Sequence, residues 1–372
     1  MTTRRDIFAG VMSGTSLDGV DAVIADFAPE GGGVCALLAA THIAFPSALR
    51  DELLALQASG PDEIVRVARA ANQLADLYGY ALRCVCMAAA LEPHDVVAAG
   101  VHGQTVRHRP AEAWTLQVNN PSRVAERAYM TVVADFRTRD IAAGGQGAPL
   151  VPAFHAAMFA ATDRHRVIAN IGGIANVTDL PRAGPVRGFD TGPGNVLLDL
   201  WCARHRHAPF DVDGRWAAAG TADADLLAAL LADPYFAAPP PKSTGRDLFN
   251  AAWLDRILEK TQWRGRPEDV EATLAALTAR TLADAVREHC ADPDEMLICG
   301  GGANNATLMR MLAAELPRAR IATTDTIGVA SAHVEALAFA WLAREALAGR
   351  PGNLPAVTGA AGPRVLGAIY PR

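Results

Sequence analysis

Glycines crowd three short stretches of this 372-residue chain, two of them with carboxylates and hydroxyls among the glycines. The first is Gly10-Val11-Met12-Ser13-Gly14-Thr15-Ser16-Leu17-Asp18-Gly19-Val20-Asp21. Its glycines let backbone approach an anion, Ser13, Thr15 and Ser16 add hydroxyl donors, and successive N–H groups can form a nest without any lysine. A hydrated Mg2+ would explain acids among such donors, because that ion keeps several waters and takes few carboxylates; Asp18 is its candidate ligand. The same residues also suit a polar hairpin turn. The second stretch is Gly188-Phe189-Asp190-Thr191-Gly192-Pro193-Gly194-Asn195, leading to Asp199. Asp190 stands at the end of a strand, beside a small-residue turn into a helix. That place suits a general base facing a bound phosphate, or a carboxylate capping the turn. The third is Cys299-Gly300-Gly301-Gly302-Ala303-Asn304-Asn305. Three glycines in a row leave no side chain in the way of a flat ring such as adenine; they equally suit a helix start packed tightly on a sheet.

The elements that must carry these loops read as α/β layers. Residues 6–12 and 20–27 form a hairpin about the first stretch. Ser59-Gly60-Pro61-Asp62 marks a helix start with Pro at an early position. That helix turns Ile64, Ala68, Ala71, Leu74, Ala75, Leu82 and Val85 toward a core. Residues 96–101 are a short strand, apolar on both faces, that ends near Gly103. The second half restates the plan: strands at 166–170, 177–180 and 186–190, a helix from about 196 to 205, and a strand at 296–299. The last helix carries Val334, Leu337, Ala338, Trp341 and Leu342 at i, i+3, i+4, i+7 and i+8. All three stretches fall at strand ends, where open α/β sheets bind ligands. The repetition indicates a gross duplication, with Gly144-Gly145-Gln146-Gly147 as the hinge between halves.

Composition excludes several alternatives. The chain is 51% hydrophobic and 20% charged, which rules out a disordered protein, and its net charge of -6 argues against a general phosphate-backbone binder. Lys242 and Lys260 are the only lysines among 34 basic residues. Neither follows G-x-x-x-x-G and neither sits in V-A-I-K, so P-loop and protein-kinase chemistry are excluded. Six cysteines, with Cys84 and Cys86 too close for C-x-x-C, read as free thiols in a reducing cytoplasm. Arg4-Arg5 suggests an export signal, but the apolar run stops at Met12 and no stretch approaches the ~18 apolar residues of a membrane span. His205 and His207, at i and i+2, fall on different helix faces, which disfavours zinc.

In this order, the three stretches resemble the two phosphate loops and adenosine loop of the actin-like, sugar-kinase and heat-shock-chaperone ATPase superfamily. Their wording resembles one family within it, the anhydro-N-acetylmuramic acid kinases. The likeness continues through His102-Gly103-Gln104-Thr105, Ala134-Asp135-Phe136-Arg137, Ile171-Gly172-Gly173-Ile174-Ala175-Asn176 and Pro241-Lys242-Ser243-Thr244-Gly245-Arg246. It implies two duplicated actin-like (ribonuclease-H-like) α/β lobes around a nucleotide cleft. Residues 1–140 with 330–372 would form the first lobe, and 141–329 the second. It implies ATP with Mg2+, the metal on Asp18. The nucleotide would be held by Gly14, Thr15, Ser16, Leu17, Asp18, Gly19, Val20 and Asp21, by Gly192, Gly194 and Asn195, and by Gly300, Gly301, Gly302 and Asn305. His102, Gln104, Thr105 and Glu335 would meet the sugar, with Asp190 as the base. A cytoplasmic homodimer in peptidoglycan recycling, without nucleic-acid or membrane partners, completes the expectation. Two rival readings are an ordinary sugar kinase acting on a free hydroxyl and a non-enzymatic nucleotide switch.

Overall fold

The computed structural model describes residues 6–14, 17–28, 35–246 and 248–372. The chain divides into two units: one runs to Met158 and resumes at Gly328, and the other is Phe159–Ile327. The sequence alone places these breaks near 140 and 330.

In the first unit, β1 (Ile7–Met12), β2 (Gly19–Asp26) and β3 (Ala36–Ala44) form an antiparallel meander. On the other side of β1, β4 (Ala98–Val101) and β7 (Val132–Ala134) add in parallel. Between them β5 (Gln104–Arg109) and β6 (Trp114–Val118) make a separate hairpin. The second unit repeats the pattern. There β8 (Arg166–Ile171), β9 (Ile174–Leu180) and β10 (Arg187–Pro193) are the meander, and β11 (Glu295–Cys299) and β12 (Arg320–Thr323) the parallel pair. The expected duplication is therefore a shared strand order, to which the first unit adds β13 (Ala368–Tyr370) antiparallel to β7.

Burial on both faces explains the apolar runs of β1 and β4, whose residues are all buried. Alternate β1 residues Ile7, Ala9 and Val11 share a core with Leu74, Tyr78 and Leu82 of the helix Glu63–Ala88. The opposite face is set by Gly10 and Gly100, which pair across β1 and β4. A Cβ on Gly10 would lie 1.9 Å from the Ala336 carbonyl oxygen, and one on Gly100 1.9 Å from that of Phe339. Glycine here lets the helix Val334–Leu347 lay its backbone on the sheet, with Val334, Leu337, Ala338, Trp341 and Leu342 all buried as expected.

Two expectations need correction. Ile64 is 87% exposed, and Ala68 is exposed too. Both are in phase with the buried stripe, but the burial of this helix begins only at Ala70, so its first two turns extend past what the unit can cover. Pro61 lies just outside the helix, before Asp62. The glycines at 144–147, expected between the halves, do not lie there either. They sit within the first unit, pinned by the fully buried Asp140. Its Oδ2 accepts from Gly147 N (2.8 Å), and its Oδ1 accepts from Asn353 Nδ2 (2.7 Å) and Thr358 Oγ1 (2.8 Å).

Candidate active site

Of the first glycine stretch, Thr15 and Ser16 lie outside the described residues. Around them the turn is braced from within the first unit. Leu17 adopts a left-handed φ of 57° and buries its side chain, so its contribution is to the core. Its N–H donates to the Gly14 carbonyl (3.3 Å). Ser13, expected to donate to an anion, shares a 2.7 Å hydrogen bond with the Tyr78 hydroxyl instead. Both groups are buried. Val20 is core, and a Cβ on Gly19 would strike the Ile43 carbonyl and the His42 ring. Asp21 faces its cross-strand partner His42 at 2.9 Å. Asp18 alone among the described acids of this stretch stands exposed at the loop, where the start of β2 meets Phe45 through the Asp18 carbonyl.

The end of β4 adds a second layer. Gln104 is fully buried, and its Nε2 donates to the Gly14 carbonyl at 3.1 Å. Expected to meet sugar, it spends its amide N–H holding the glycine loop; its Oε1 has no partner among the described residues. Thr105 Oγ1 accepts from Gln117 Nε2 at 3.1 Å, next to the bulge in the β5–β6 hairpin. His102 is buried against the Phe339 ring, centroids 4.6 Å apart. Arg137 Nε donates to its Nε2 at 2.9 Å, while Arg137 Nη1 donates to the Gly147 carbonyl at 2.7 Å. A guanidinium has no acceptor, so His102 Nε2 must carry a lone pair and the ring proton must sit on Nδ1. Burial first and the Arg137 charge second hold His102 well below the usual histidine range. Its Nδ1, favoured only by the adjacent Gly103 carbonyl, makes no hydrogen bond of good geometry to a described residue. Glu335, half-buried, opens the helix Val334–Leu347, whose amide dipoles favour a carboxylate there.

In the second unit Asp190 sits on a β-bulge, because the register of β10 against β9 slips between Asp190 and Gly192. Bulges re-aim side chains beside active sites. Three contacts then fix the residue. Its N–H donates to the Lys242 carbonyl (3.1 Å), its carbonyl accepts from the Tyr235 hydroxyl (2.8 Å), and its Oδ2 accepts from Thr244 N (3.0 Å). Gly192 has φ 147°, and a Cβ there would lie 2.7 Å from the Phe236 ring. Gly194 presses on the β8–β9 turn, where its Cβ would lie 2.3 Å from the Gly172 oxygen. Asn195 N donates to Gly172 O (2.8 Å), and its Nδ2 donates to the Ile171 carbonyl (3.1 Å) at the start of the helix Val196–Arg206.

The third loop divides by position. A Cβ on Gly300 would lie 2.4 Å from Asn170 Oδ1, and one on Gly302 2.4 Å from the Ile171 side chain. Those two glycines are explained by close packing on the end of β8. Gly301 is exposed and meets only an ordinary 3.5 Å contact, so of the three it is the one that presents bare backbone at the surface. Asn305 Oδ1 caps the helix Ala306–Glu315 through Leu308 N at 2.9 Å. The expected residues thus fall in two sets: the loop to Asp21, His102, Gln104, Thr105 and Glu335 in the first unit, the rest in the second. Tyr235, Lys242, Thr244 and Arg137 were not assigned roles from sequence, although all but Tyr235 lie in stretches that carry the resemblance.

Asp18 fits a hydrated Mg2+ brought in on nucleotide phosphates, since one exposed carboxylate beside a glycine turn suits an ion that keeps its waters. Among the described residues no three His, Cys, Asp or Glu side chains converge as a metal cage.

A family model described as anhydro-N-acetylmuramic acid kinase matches residues 6–372. Anhydro-N-acetylmuramic acid kinase of Thiobacillus denitrificans is 52% identical over 370 residues, covering 100% of this chain and 98% of its own. That of Bordetella pertussis is 55% identical over 370 residues, covering 98% and 96%. Solved structures give remoter likenesses. The activator of the 2-hydroxyisocaproyl-CoA dehydratase from Clostridium difficile with bound ADPNP has a TM-score of 0.45 at 14% identity, covering 91% of this chain and 94% of its own. A ROK family glucokinase from Streptomyces griseus in complex with glucose and AMPPNP has 0.43 at 15%, covering 91% and 99%. On the full-length family match and relatives more than half identical throughout, the chain belongs to the anhydro-N-acetylmuramic acid kinase family.

Proposed function

We propose that this kinase opens the 1,6-anhydro ring of N-acetylmuramic acid with water and passes the γ-phosphoryl group of ATP to the released O6. In a 1,6-anhydro sugar that oxygen is tied to the anomeric carbon, so no free 6-hydroxyl exists to phosphorylate. Water must attack C1 as O6 departs toward phosphorus, and the attacking water must lose a proton. Asp190 is the acceptor in this reading. The observation that carries it is the carboxylate at the β10 bulge, held on Oδ2 by Thr244 N–H and so fixed in place. Gly14 with Thr15, Ser16 and Asp18 would face the phosphates, Gly192, Gly194 and Asn195 the second phosphate turn, and Gly301 the adenosine. When bound at Asp18, Mg2+ would neutralise phosphate charge. His102 and Glu335 would meet the sugar, while Gln104 acts on the Gly14 loop. Positioning and electrostatics account for most of phosphoryl-transfer catalysis. Six free cysteines agree with a reducing cytoplasm, and we carry the homodimer over from the family resemblance.

Asp190→Asn should bind ATP and sugar with near-normal affinity while turnover falls ~10²–10⁴-fold, because only the proton acceptor is gone. Isothermal titration alongside steady-state ADP release checks both halves. Full activity in that variant would remove Asp190 from the base role.

A further inference from the structure

Lysine is scarce in this chain, and Lys242 lies one strand-end away from Asp190. Its ammonium donates to the carbonyls of Phe236 (3.1 Å) and Tyr235 (3.3 Å) and lies 4.9 Å from the centre of the Tyr235 ring. Those carbonyls close the short helix Pro234–Ala237, whose start is fixed by Asp233 through Tyr235 N (2.9 Å). Asp233 is itself held by Trp253 Nε1 at 2.8 Å, and the rings of Phe236 and Phe249 stack at 5.5 Å. The lysine therefore ties its own loop to a turn that is anchored in the core of the second unit. Both sides of this tie end on Asp190. From the turn, the Tyr235 hydroxyl reaches the Asp190 carbonyl; from the loop, the Lys242 carbonyl takes the Asp190 N–H and Thr244 N–H takes Oδ2. A compact ammonium with three donors can serve two adjacent carbonyls and a ring face at once, where a planar guanidinium is aimed at forked acceptors.

We propose that Lys242 is a positioning residue for Asp190: its ammonium clamps the loop at 242–244 to the Tyr235–Phe236 turn, so that backbone, carbonyl and carboxylate of Asp190 are all held on the bulged end of β10. The lysine touches neither nucleotide nor sugar in this role. It acts through the Tyr235 hydroxyl and the Thr244 N–H. The inference rests on Asp190 serving as the base. A strand end freed from one clamp need move little to matter, since misplacement by about 1 Å can cost ~10²-fold in rate.

Lys242→Met keeps the aliphatic stem and removes the donors. Turnover should fall roughly 10–100-fold with KM for ATP and for sugar within about twofold. A loosened Thr244 N–H bond should also move the acidic limb of the kcat profile to higher pH, because the carboxylate loses a donor that favours its charged form. Tyr235→Phe, which deletes one hydroxyl and leaves the loop intact, should act in the same direction and keeps the test alive if the methionine variant folds poorly. In an Asp190→Asn background, Lys242→Met should cost the residual turnover nothing further. Normal kcat in both single variants overturns the inference. A raised sugar KM at normal kcat would make Lys242 a substrate contact and overturn it as well. An undiminished effect in the Asp190→Asn background would show that the lysine acts outside Asp190, and that too overturns the clamp. If Asp190→Asn alone is fully active, the base assignment falls first and takes the clamp with it.

Discussion

Because a guanidinium only donates, Arg137 decides what His102 can offer. With Nε2 accepting from Arg137, the neutral ring presents its proton on Nδ1. Held well below the usual histidine range by burial, His102 should stay neutral at neutral pH. If Nδ1–H meets a sugar oxygen, His102→Asn, whose amide nitrogen can take the place of Nδ1, should keep kcat/KM within about threefold. His102→Gln places its nitrogen nearer Nε2 and should lose roughly tenfold, the worth of one neutral hydrogen bond. Steady-state kinetics on the two variants decide it, and a better glutamine than asparagine would refute the tautomer. At this scale the sequence showed where a side chain stands in the fold better than what it touches. Asp190 was legible because a carboxylate at a strand end before Thr-Gly-Pro-Gly is a local pattern. Gln104 was not, because its partner is Gly14, 90 residues away, and Thr244 was not, because its partner is Asp190, 54 residues away.

Helices and strands were legible where the apolar period was long, and misread where burial depended on what lay opposite. The helix Val334–Leu347 is covered along its stripe; Ile64 and Ala68 have the right phase and no cover. The glycines at 144–147 looked like a joint between halves, yet Gly147 donates to the Asp140 carboxylate, which is itself held by Asn353 from far along the chain. Gly10 and Gly100 show the same rule from the other side, being required by a helix more than 200 residues later in sequence order. Gly100→Ala should cost about 1–3 kcal/mol or more, since the clash is with helix backbone that cannot rotate away; urea unfolding measures it, and an unchanged midpoint would contradict the close approach. A second element carries a pH signature. Glu271, on the helix Pro267–His289, is fully buried with both oxygens unpartnered among the described residues. Burial, then Asp211 and Asp199, push its pKa from 4.5 up to about 9. Below about pH 4.5 both folded and unfolded chains hold the proton. Above it the unfolded chain ionises first, so stability declines toward pH 9. Glu271→Gln should therefore raise the melting temperature at pH 8, by on the order of a few kcal/mol of stability, and change little at pH 4.5. Equal destabilisation at both values would mean an ionised, partnered carboxylate.

One strand order is used twice: Asp18, His102 and Glu335 lie in the first unit, and Asp190 and Gly301 in the second. The duplication was readable as two hairpin openings followed by strand-loop-helix units. The unit borders were less so, since nothing local marks where a chain stops contributing to one sheet's core. The reaction read from both sets makes its sharpest statement about oxygen atoms. If water attacks C1, brief turnover in heavy-oxygen water must place label at the anomeric carbon, while the phosphate ester keeps the substrate's own O6. The assay has to be short, because the opened sugar exchanges its anomeric oxygen with solvent. An ordinary sugar kinase, by contrast, would release ADP as readily with open N-acetylmuramic acid as with the anhydro form, and a nucleotide switch would release it with no sugar at all. ADP release should instead depend on the anhydro sugar, since only there does bond cleavage at C1 create the acceptor oxygen. Mass spectrometry of the phosphorylated product then reads the outcome. Label in the ester bridge would mean that water attacked C6 and that O6 stayed on C1. Asp190 could not then be the base for anomeric attack, and the Lys242 clamp would have nothing to aim.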